Sequence, residues 1–393
     1  MLLHLKFVAG LIAAATVASA TERQGVSIEM SRRTDEQMKQ IRVQRVPQHI
    51  SAVNRKYTAA MKNYQRNTGK SHPMGSDSKA KRSSGDVGLI DINEQLEWSG
   101  KVQFGSPAQS IYFDFDTGSS DTLVDPGSYD PSASYSSMRT SGKFSAAYGD
   151  GTSASGTIYQ DDVSIGGIKA KSVSIGLSNT KFTKDYEKPN QGICGLALPS
   201  IQAFPSDYHP LFTALREQHQ VDQGVFQFTL KSGSGSSLHL GGIDKTKIKG
   251  DIAWANYDQS LGFYVVPGKL NGQNIQAIID SGTTLIIGPT KQVKSILEAI
   301  PDVKTTTSQG SLMGTFPCDQ TPNVTFTFAG KDFKLGRDQL VYGSSNGRCN
   351  LPLVGQDSTP FRGNSWIVGD AFFQTASVIF DQDKNRLGFA EQA

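Results

Sequence analysis

The chain has 393 residues, enough for a large buried core and for two or three domains. Its formal charge of +3 conceals a split: residues 1–82 hold 15 Lys and Arg against 5 Asp and Glu, a net of +10, and the remainder holds 24 against 31, a net of −7. A basic arm ahead of an acidic body argues against nucleic-acid binding, which needs basic residues grouped on the folded domain, and after residue 20 no apolar run reaches the roughly 20 residues of a membrane helix.

Residues 1–20 combine His4 and Lys6, an apolar run from Phe7 to Ala15, and the small-residue tripeptide Ala18-Ser19-Ala20. This is the arrangement of a secretory signal peptide, cut after Ala20. A secreted, extracellular protein is expected, with a vacuolar destination as the alternative. The run to Ala393 carries no hydrophobic tail, so no membrane attachment is expected. Residues 21–82 are rich in Lys, Arg and Gln, with helix-compatible stretches from Asp35 to Val43 and from Ser51 to Gln65. They close on Lys79-Ala80-Lys81-Arg82, a dibasic linker suited to a processing protease, which defines a basic propeptide and a body beginning at Ser83.

From Val87 onward short apolar runs are separated by Gly, Ser, Asn and Asp, with Phe212 to His219 and Val293 to Ile300 as the best short helices. That texture is all-β. The Gly-Ser clusters at Lys231 to Ser237 and Gly343 to Gly347 read as hairpin loops. Neither has the spacing and the Lys-Ser/Thr of a phosphate cradle, and no cofactor is expected.

Within this pattern one unit occurs twice. Ile111, Phe113 and Phe115 alternate with Tyr112 and Asp114 and lead into Asp116-Thr117-Gly118-Ser119; Ile275, Ala277 and Ile279 alternate with Gln276 and Ile278 and lead into Asp280-Ser281-Gly282-Thr283, 164 residues later. Each reads as a half-buried strand ending in an acid and a glycine-permitted turn. Ser119 and Thr283, three places after the acids, are close enough to hydrogen-bond them. One such unit marks only a strand and a turn; two at the same phase point to two carboxylates that meet.

There are three cysteines. Cys318 and Cys349 are 31 apart and flank a strand-like stretch from Val324 to Phe328, which suits a loop-closing bridge in a secreted chain. Cys194 lies in an apolar run and reads as a buried thiol. Asn323-Val324-Thr325 is the one glycosylation signal of the Asn-x-Ser/Thr type. After the leader only His209, His219 and His239 remain, none in a His-Glu-x-x-His pattern, and no Gly-x-Ser-x-Gly elbow occurs. Metal and serine mechanisms therefore lack their parts.

Further motifs join the two acid turns in order: Trp98-Ser99-Gly100-Lys101-Val102 with Gly105-Ser106-Pro107-Ala108-Gln109, Tyr148-Gly149-Asp150-Gly151, Ile193-Cys194-Gly195, Ile367-Val368-Gly369-Asp370, Phe380-Asp381, and Leu387-Gly388-Phe389-Ala390. Together they resemble the pepsin-like aspartic proteases over nearly all of Val87 to Ala390. The resemblance implies an all-β, bilobal fold in which an N-terminal lobe (83–255) and a C-terminal lobe (256–393) face each other across an active-site cleft. It implies that Asp116 and Asp280 are catalytic, that Ser119 and Thr283 orient them, and that Thr117 and Ser281 brace the two turns against each other. Tyr148, Gly149 and Asp150 would belong to a flap that closes over substrate, and Cys318 and Cys349 would form the C-terminal lobe bridge. No cysteine pair follows Asp116, which makes the chain similar to the fungal secreted members. Leu123 stands where the family commonly has a Trp that hydrogen-bonds the flap tyrosine, and Ser281 stands where Thr is more frequent.

Two adjacent carboxylates share a proton. The expected activity is therefore hydrolysis of peptide bonds at acid pH by a water activated between two aspartates, with no covalent intermediate and no metal. Large apolar residues are expected around the scissile bond, and Asp150 would admit Lys before it. The basic leader is expected to inhibit the acidic body intramolecularly until acid releases it, with either Lys56 beside Tyr57 or Lys62 near Tyr64 reaching the aspartates. The partners are polypeptide substrates, and a monomer is expected. A catalytically silent binding or inhibitor protein on the same fold is the alternative, with Leu123 in its favour.

Overall fold

A computed structural model describes residues 25–32, 46–75, 98–147, 153–183, 189–231 and 234–393. The signal-like stretch, the helix-compatible segment from Asp35 to Val43, the dibasic linker, and Tyr148, Gly149 and Asp150 lie outside the described residues.

The N-terminal segment expected to be the leader contributes a strand and a long helix. Strand β1 (Val26–Arg32) alternates Val26, Ile28 and Met30 with polar residues, and Ile28 and Met30 are buried. Helix α1 (Val46–Thr68) carries Val46, Ile50, Val53, Tyr57, Ala60 and Tyr64 on one buried face, the three-and-four spacing of an amphipathic helix. That face packs on Ile201, Phe263, Val265, Ile287 and Phe361. Burying such side chains contributes on the order of 1.5–3 kcal/mol each, so α1 is seated mainly by apolar contact.

In the body, β2 (Trp98–Phe104) and β3 (Gln109–Asp116) form an antiparallel hairpin. Ile111, Phe113 and Phe115 are buried, and the strand delivers Asp116 as its last residue. After the turn come β4 (Thr122–Val124) and then β5 (Met138–Ala147), β6 (Ser153–Ile165) and β7 (Ile168–Ser178), which form a meander. β8 (Gly192–Gly195) then threads between β3 and β4. It runs parallel to the first, with Asp116 opposite Gly195, and antiparallel to the second, with Leu123 opposite Ile193. The glycine is obligatory at this crossing, because a Cβ on Gly195 would sit 2.5 Å from the Asp121 amide nitrogen.

The second half repeats the device. Gln273–Ile279 runs parallel to Ser365–Val368, with Ile279 opposite Val368, and Ile286–Gly288 pairs antiparallel with the same strand. A Cβ on Gly369 would run into the Thr283 carbonyl. In both halves, then, an acid turn is clamped by a strand passing beneath it.

A 13-stranded sheet joins the leader to both halves. Its order is Ile248–Asn256, Arg386–Gln392, Ala376–Asp381, Val225–Thr229, Ser236–Leu240, then β1, β2, β3, β8, β4, β7, β6 and β5. β1 is antiparallel to both neighbours, pairing Val26 through Met30 with Leu240 through Ser236, and Ser31 and Arg32 with Ser99 and Trp98. A 10-stranded sheet forms the rest of the C-terminal half. The architecture is the all-β, bilobal one expected from the motifs. Ala255 lies inside Ile248–Asn256, opposite Leu387. The two short helices occur at Leu211–Glu217 and Thr290–Glu298. Cys318 and Cys349 are bonded, and Cys194 is a buried free thiol. Among the described residues no helix is long and apolar enough to cross a membrane.

Candidate active site

The two strand ends deliver Asp116 and Asp280 to one point, both buried. Each carboxylate is held by its own turn. Asp116 accepts from the Gly118 amide at 2.8 Å through Oδ1 and from Ser119 Oγ at 2.6 Å through Oδ2. Asp280 accepts from the Gly282 amide at 3.1 Å through Oδ1 and from Thr283 Oγ1 at 2.5 Å through Oδ2. Such bonds to an ionised acceptor are strong and fix its orientation.

The turns also hold each other. The Thr117 amide donates to Ser281 Oγ at 3.1 Å and the Ser281 amide donates to Thr117 Oγ1 at 2.9 Å. Thr117 Oγ1 in turn donates to the Ile279 carbonyl at 2.9 Å, and Ser281 Oγ to the Phe115 carbonyl at 2.6 Å. Ser281 thus joins the lock through its own hydroxyl and amide. Glycine sets the approach: a Cβ on Gly118 would lie 2.6 Å from Asp280 Oδ1, and one on Gly282 would strike the Asp116 carboxylate.

Helix α1 crosses this centre. Lys56 Nζ donates to Asp116 Oδ1 at 3.1 Å and to Asp280 Oδ2 at 2.9 Å, and Tyr57 donates its hydroxyl to Asp280 Oδ2 at 2.8 Å. Of the two lysines the sequence left open, Lys56 is the one that reaches the aspartates, while Lys62 is exposed. The Tyr57 ring stands between Phe263 and Phe361, with centroids at 5.1 and 4.8 Å.

Burial alone would lower the Lys56 ammonium pKa, but Asp116 and Asp280 outweigh it and hold the group above its usual value. The two acids are driven apart. Burial, and then the charge of Asp280, push Asp116 up against the pull of Lys56. Asp280 is also pushed up by burial, yet Lys56 and the hydrogen bonds it receives win and leave it at about 2. Burial and Asp280 thus favour the protonated form of Asp116, while Lys56 favours the ionised form of Asp280.

Three features escaped the sequence reading. His49, on the same helix face, is buried with neither ring nitrogen hydrogen-bonded, and burial with the Lys56 charge lowers it to about 4. Asp121 is buried and accepts from the Ala203 and Phe204 amides at 2.6 and 2.9 Å. Burial raises it to about 6 in spite of those bonds. Asn63, Arg66 and Asn67 are directed at backbone carbonyls of 200–203. Only the helical spacing of 63, 66 and 67 could have signalled that they share a face. Leu123, by contrast, is fully buried with Phe144, Ile158, Phe182 and Phe204, an apolar cluster that a leucine fills.

The sequence profile described as eukaryotic aspartyl protease matches residues 97–392. The chain is 44% identical over 397 residues to secreted aspartyl protease 1 of Malassezia globosa, covering 99% of each chain. It is 31% identical over 319 residues to pepsin A of Sus scrofa, covering 76% of this chain and 82% of that one. It is also similar, at 32% over 330 residues, to a protein of Malassezia globosa named a probable inactive secreted aspartyl protease, covering 80% of this chain and 83% of the relative.

Proposed function

Because the chain belongs to the eukaryotic aspartyl protease family, we propose that it is the zymogen of a secreted, acid-acting endopeptidase whose own leader occupies and silences the cleft. The contact that carries this reading is Lys56, whose ammonium bridges Asp116 and Asp280. In the leader-free enzyme a water takes that position. One carboxylate removes its proton while the protonated partner gives a proton to the scissile carbonyl oxygen, forming a tetrahedral diol. Collapse of the diol returns a proton to the departing amine as the C–N bond breaks. No covalent intermediate forms on the protein.

The hydroxyls of Ser119 and Thr283 keep both carboxylates aimed at that water, and the Thr117–Ser281 lock fixes their separation. The aromatic walls around Tyr57 support a preference for large apolar residues at the scissile bond. Tyr148 and Gly149 would close over the substrate, and Asp150 would accept Lys before the bond; unchanged cleavage after Lys relative to Phe in Asp150→Ser would remove that last assignment. Export is supported by Ala18-Ser19-Ala20 at the end of the apolar run and by the name of the Malassezia relative. One chain carries both aspartates, so a monomer suffices. The silent-protein alternative keeps Leu123 in its favour, since a leucine packed in an apolar cluster offers the flap no hydrogen-bond donor.

The test is peptidase activity of the acid-treated protein on a denatured protein at about pH 4, where a shared-proton dyad works. Activity that vanishes in Asp280→Asn is expected. A folded, leader-free protein without activity would instead favour the silent reading.

A further inference from the structure

Away from the aspartates, α1 grips the body through side chains aimed at four successive carbonyls. Asn67 Nδ2 donates to Ser200 O at 3.2 Å and to Gln202 O at 3.0 Å. Asn63 Nδ2 donates to Ile201 O at 3.2 Å. Arg66 Nη2 donates to Gln202 O at 2.8 Å and to Ala203 O at 3.1 Å. The amides of Ala203 and Phe204 face the other way and are taken up by the buried Asp121 carboxylate. This edge of the cleft therefore presents a run of backbone acceptors with the Asp121 carboxyl behind it, and Arg66 is the cation that acts on that acid.

The acceptor edge shares a cavity with residues that touch the aspartates. A space of ≈ 30 Å³ between helix and body is lined by Lys56, Ser119, Asn63, Asp121, Ile201 and Ala203. Asn63 and Arg66 follow Lys56 by seven and ten residues, which is about 10 and 15 Å of helix. Extended chain covers that span in about three to five residues.

We infer that in the active enzyme the carbonyls of 200–203, with Asp121 behind them, form a subsite for a donor-bearing, preferably arginine, side chain of the substrate three to five residues from the scissile bond. This rests on the proteolytic reading above. Loss of the leader strips five hydrogen bonds from that edge. A guanidinium restores them best, since its planar fork of N–H donors spans adjacent carbonyls as Arg66 does. An ionised substrate Glu or Asp has no donor to offer and meets carbonyl oxygens.

The experiment is a set of peptides with one apolar scissile junction and alanine elsewhere, in which Arg, Ala or Glu is placed singly three, four or five residues away on either side. They are cut by the acid-activated protein at low salt, and kcat/KM is compared. Expected is a preference of about tenfold for Arg over Ala at one or two adjacent positions, on one side of the junction only, with Glu below Ala. In an assay at about pH 4, below the value of about 6 to which burial raises Asp121, the preference rests on the neutral carbonyls, so the Arg-to-Ala ratio at those positions should persist in added salt. If the parent is cut but Arg, Ala and Glu agree within twofold at every position, the subsite is wrong and the proteolytic reading stands. If no peptide is cut, the proteolytic reading falls and takes the subsite with it.

Discussion

On the proposed zymogen reading, His49 is a proton-counting element whose size follows from its surroundings. It is 4% exposed on the inner face of α1, seven residues before Lys56, and neither ring nitrogen has a partner. The charges acting on it are Lys56 from its own helix and Asp280 from the opposing turn. Burial, then Lys56, hold the docked imidazole down from 6.5 to about 4 against the opposite pull of Asp280. Once the leader is released the ring regains its ordinary value near 6.5. The docked state thus has the lower value, so this group leaves docking intact above pH 6.5 and weakens it as pH falls toward 4. Below that both states are protonated, and the loss levels off at about 3 kcal/mol. Linkage at this residue alone multiplies leader release by about fourfold at pH 6 and about thirtyfold at pH 5. His49→Leu fills the same apolar space and cannot titrate. First-order self-processing of dilute precursor should then be slower in the variant, and the wild-type to variant rate ratio should rise about sevenfold between pH 6 and pH 5. A packing difference would change the ratio equally at both values. A ratio that is the same at both pH values within twofold would refute the reasoning.

Other perturbations read other parts of the assembly. Lys56→Met leaves two buried carboxylates without their cation, and breaking such a pair costs about 3–5 kcal/mol; the leader of this variant should become susceptible to limited proteolysis near neutral pH, where the wild-type leader resists. Gly282→Ala places a methyl against the Asp116 carboxylate, and a displacement of that kind should lower kcat about a hundredfold while circular dichroism stays native. Replacing Cys318 and Cys349 by Ser frees a loop with a sequence separation of 31; denaturant unfolding of the protein should show a loss of about 3–4 kcal/mol, with Cys194 still unreactive to thiol reagents until unfolding because it is buried.

The duplicated acid turns were legible because strand alternation, a terminal acid and a glycine are local properties, and two local copies at one phase imply a meeting. The disulfide was legible for a similar reason, since the chain offers few cysteines to combine. What the sequence left open depends on contacts between distant residues. Lys56 and Lys62 are equivalent in composition; only the docking of the Val46–Tyr64 face of α1 turns one toward the aspartates and the other toward solvent. His49 and Asp121 acquire meaning from what covers them, which no spacing records. β1 was missed although Val26, Ile28 and Met30 alternate, because a short alternating run in a polar, basic segment has no face to bury until Ser236–Leu240 and β2 supply one. The flap assignment falls on residues outside those described.

On the proposed reading, the placement of β1 makes the leader a tethered inhibitor with two latches. Acid acts on α1 through His49 and the aspartates, but β1 is held by backbone pairing along five residues of one neighbour and two of the other, and peptide hydrogen bonds do not titrate in this range. When α1 lifts, it therefore stays joined through the chain to the paired β1. Its effective concentration at the cleft remains in the millimolar range expected for short linkages. On that reading brief acid exposure should be reversible, and the irreversible decision would belong to the cut between leader and body rather than to the opening that precedes it.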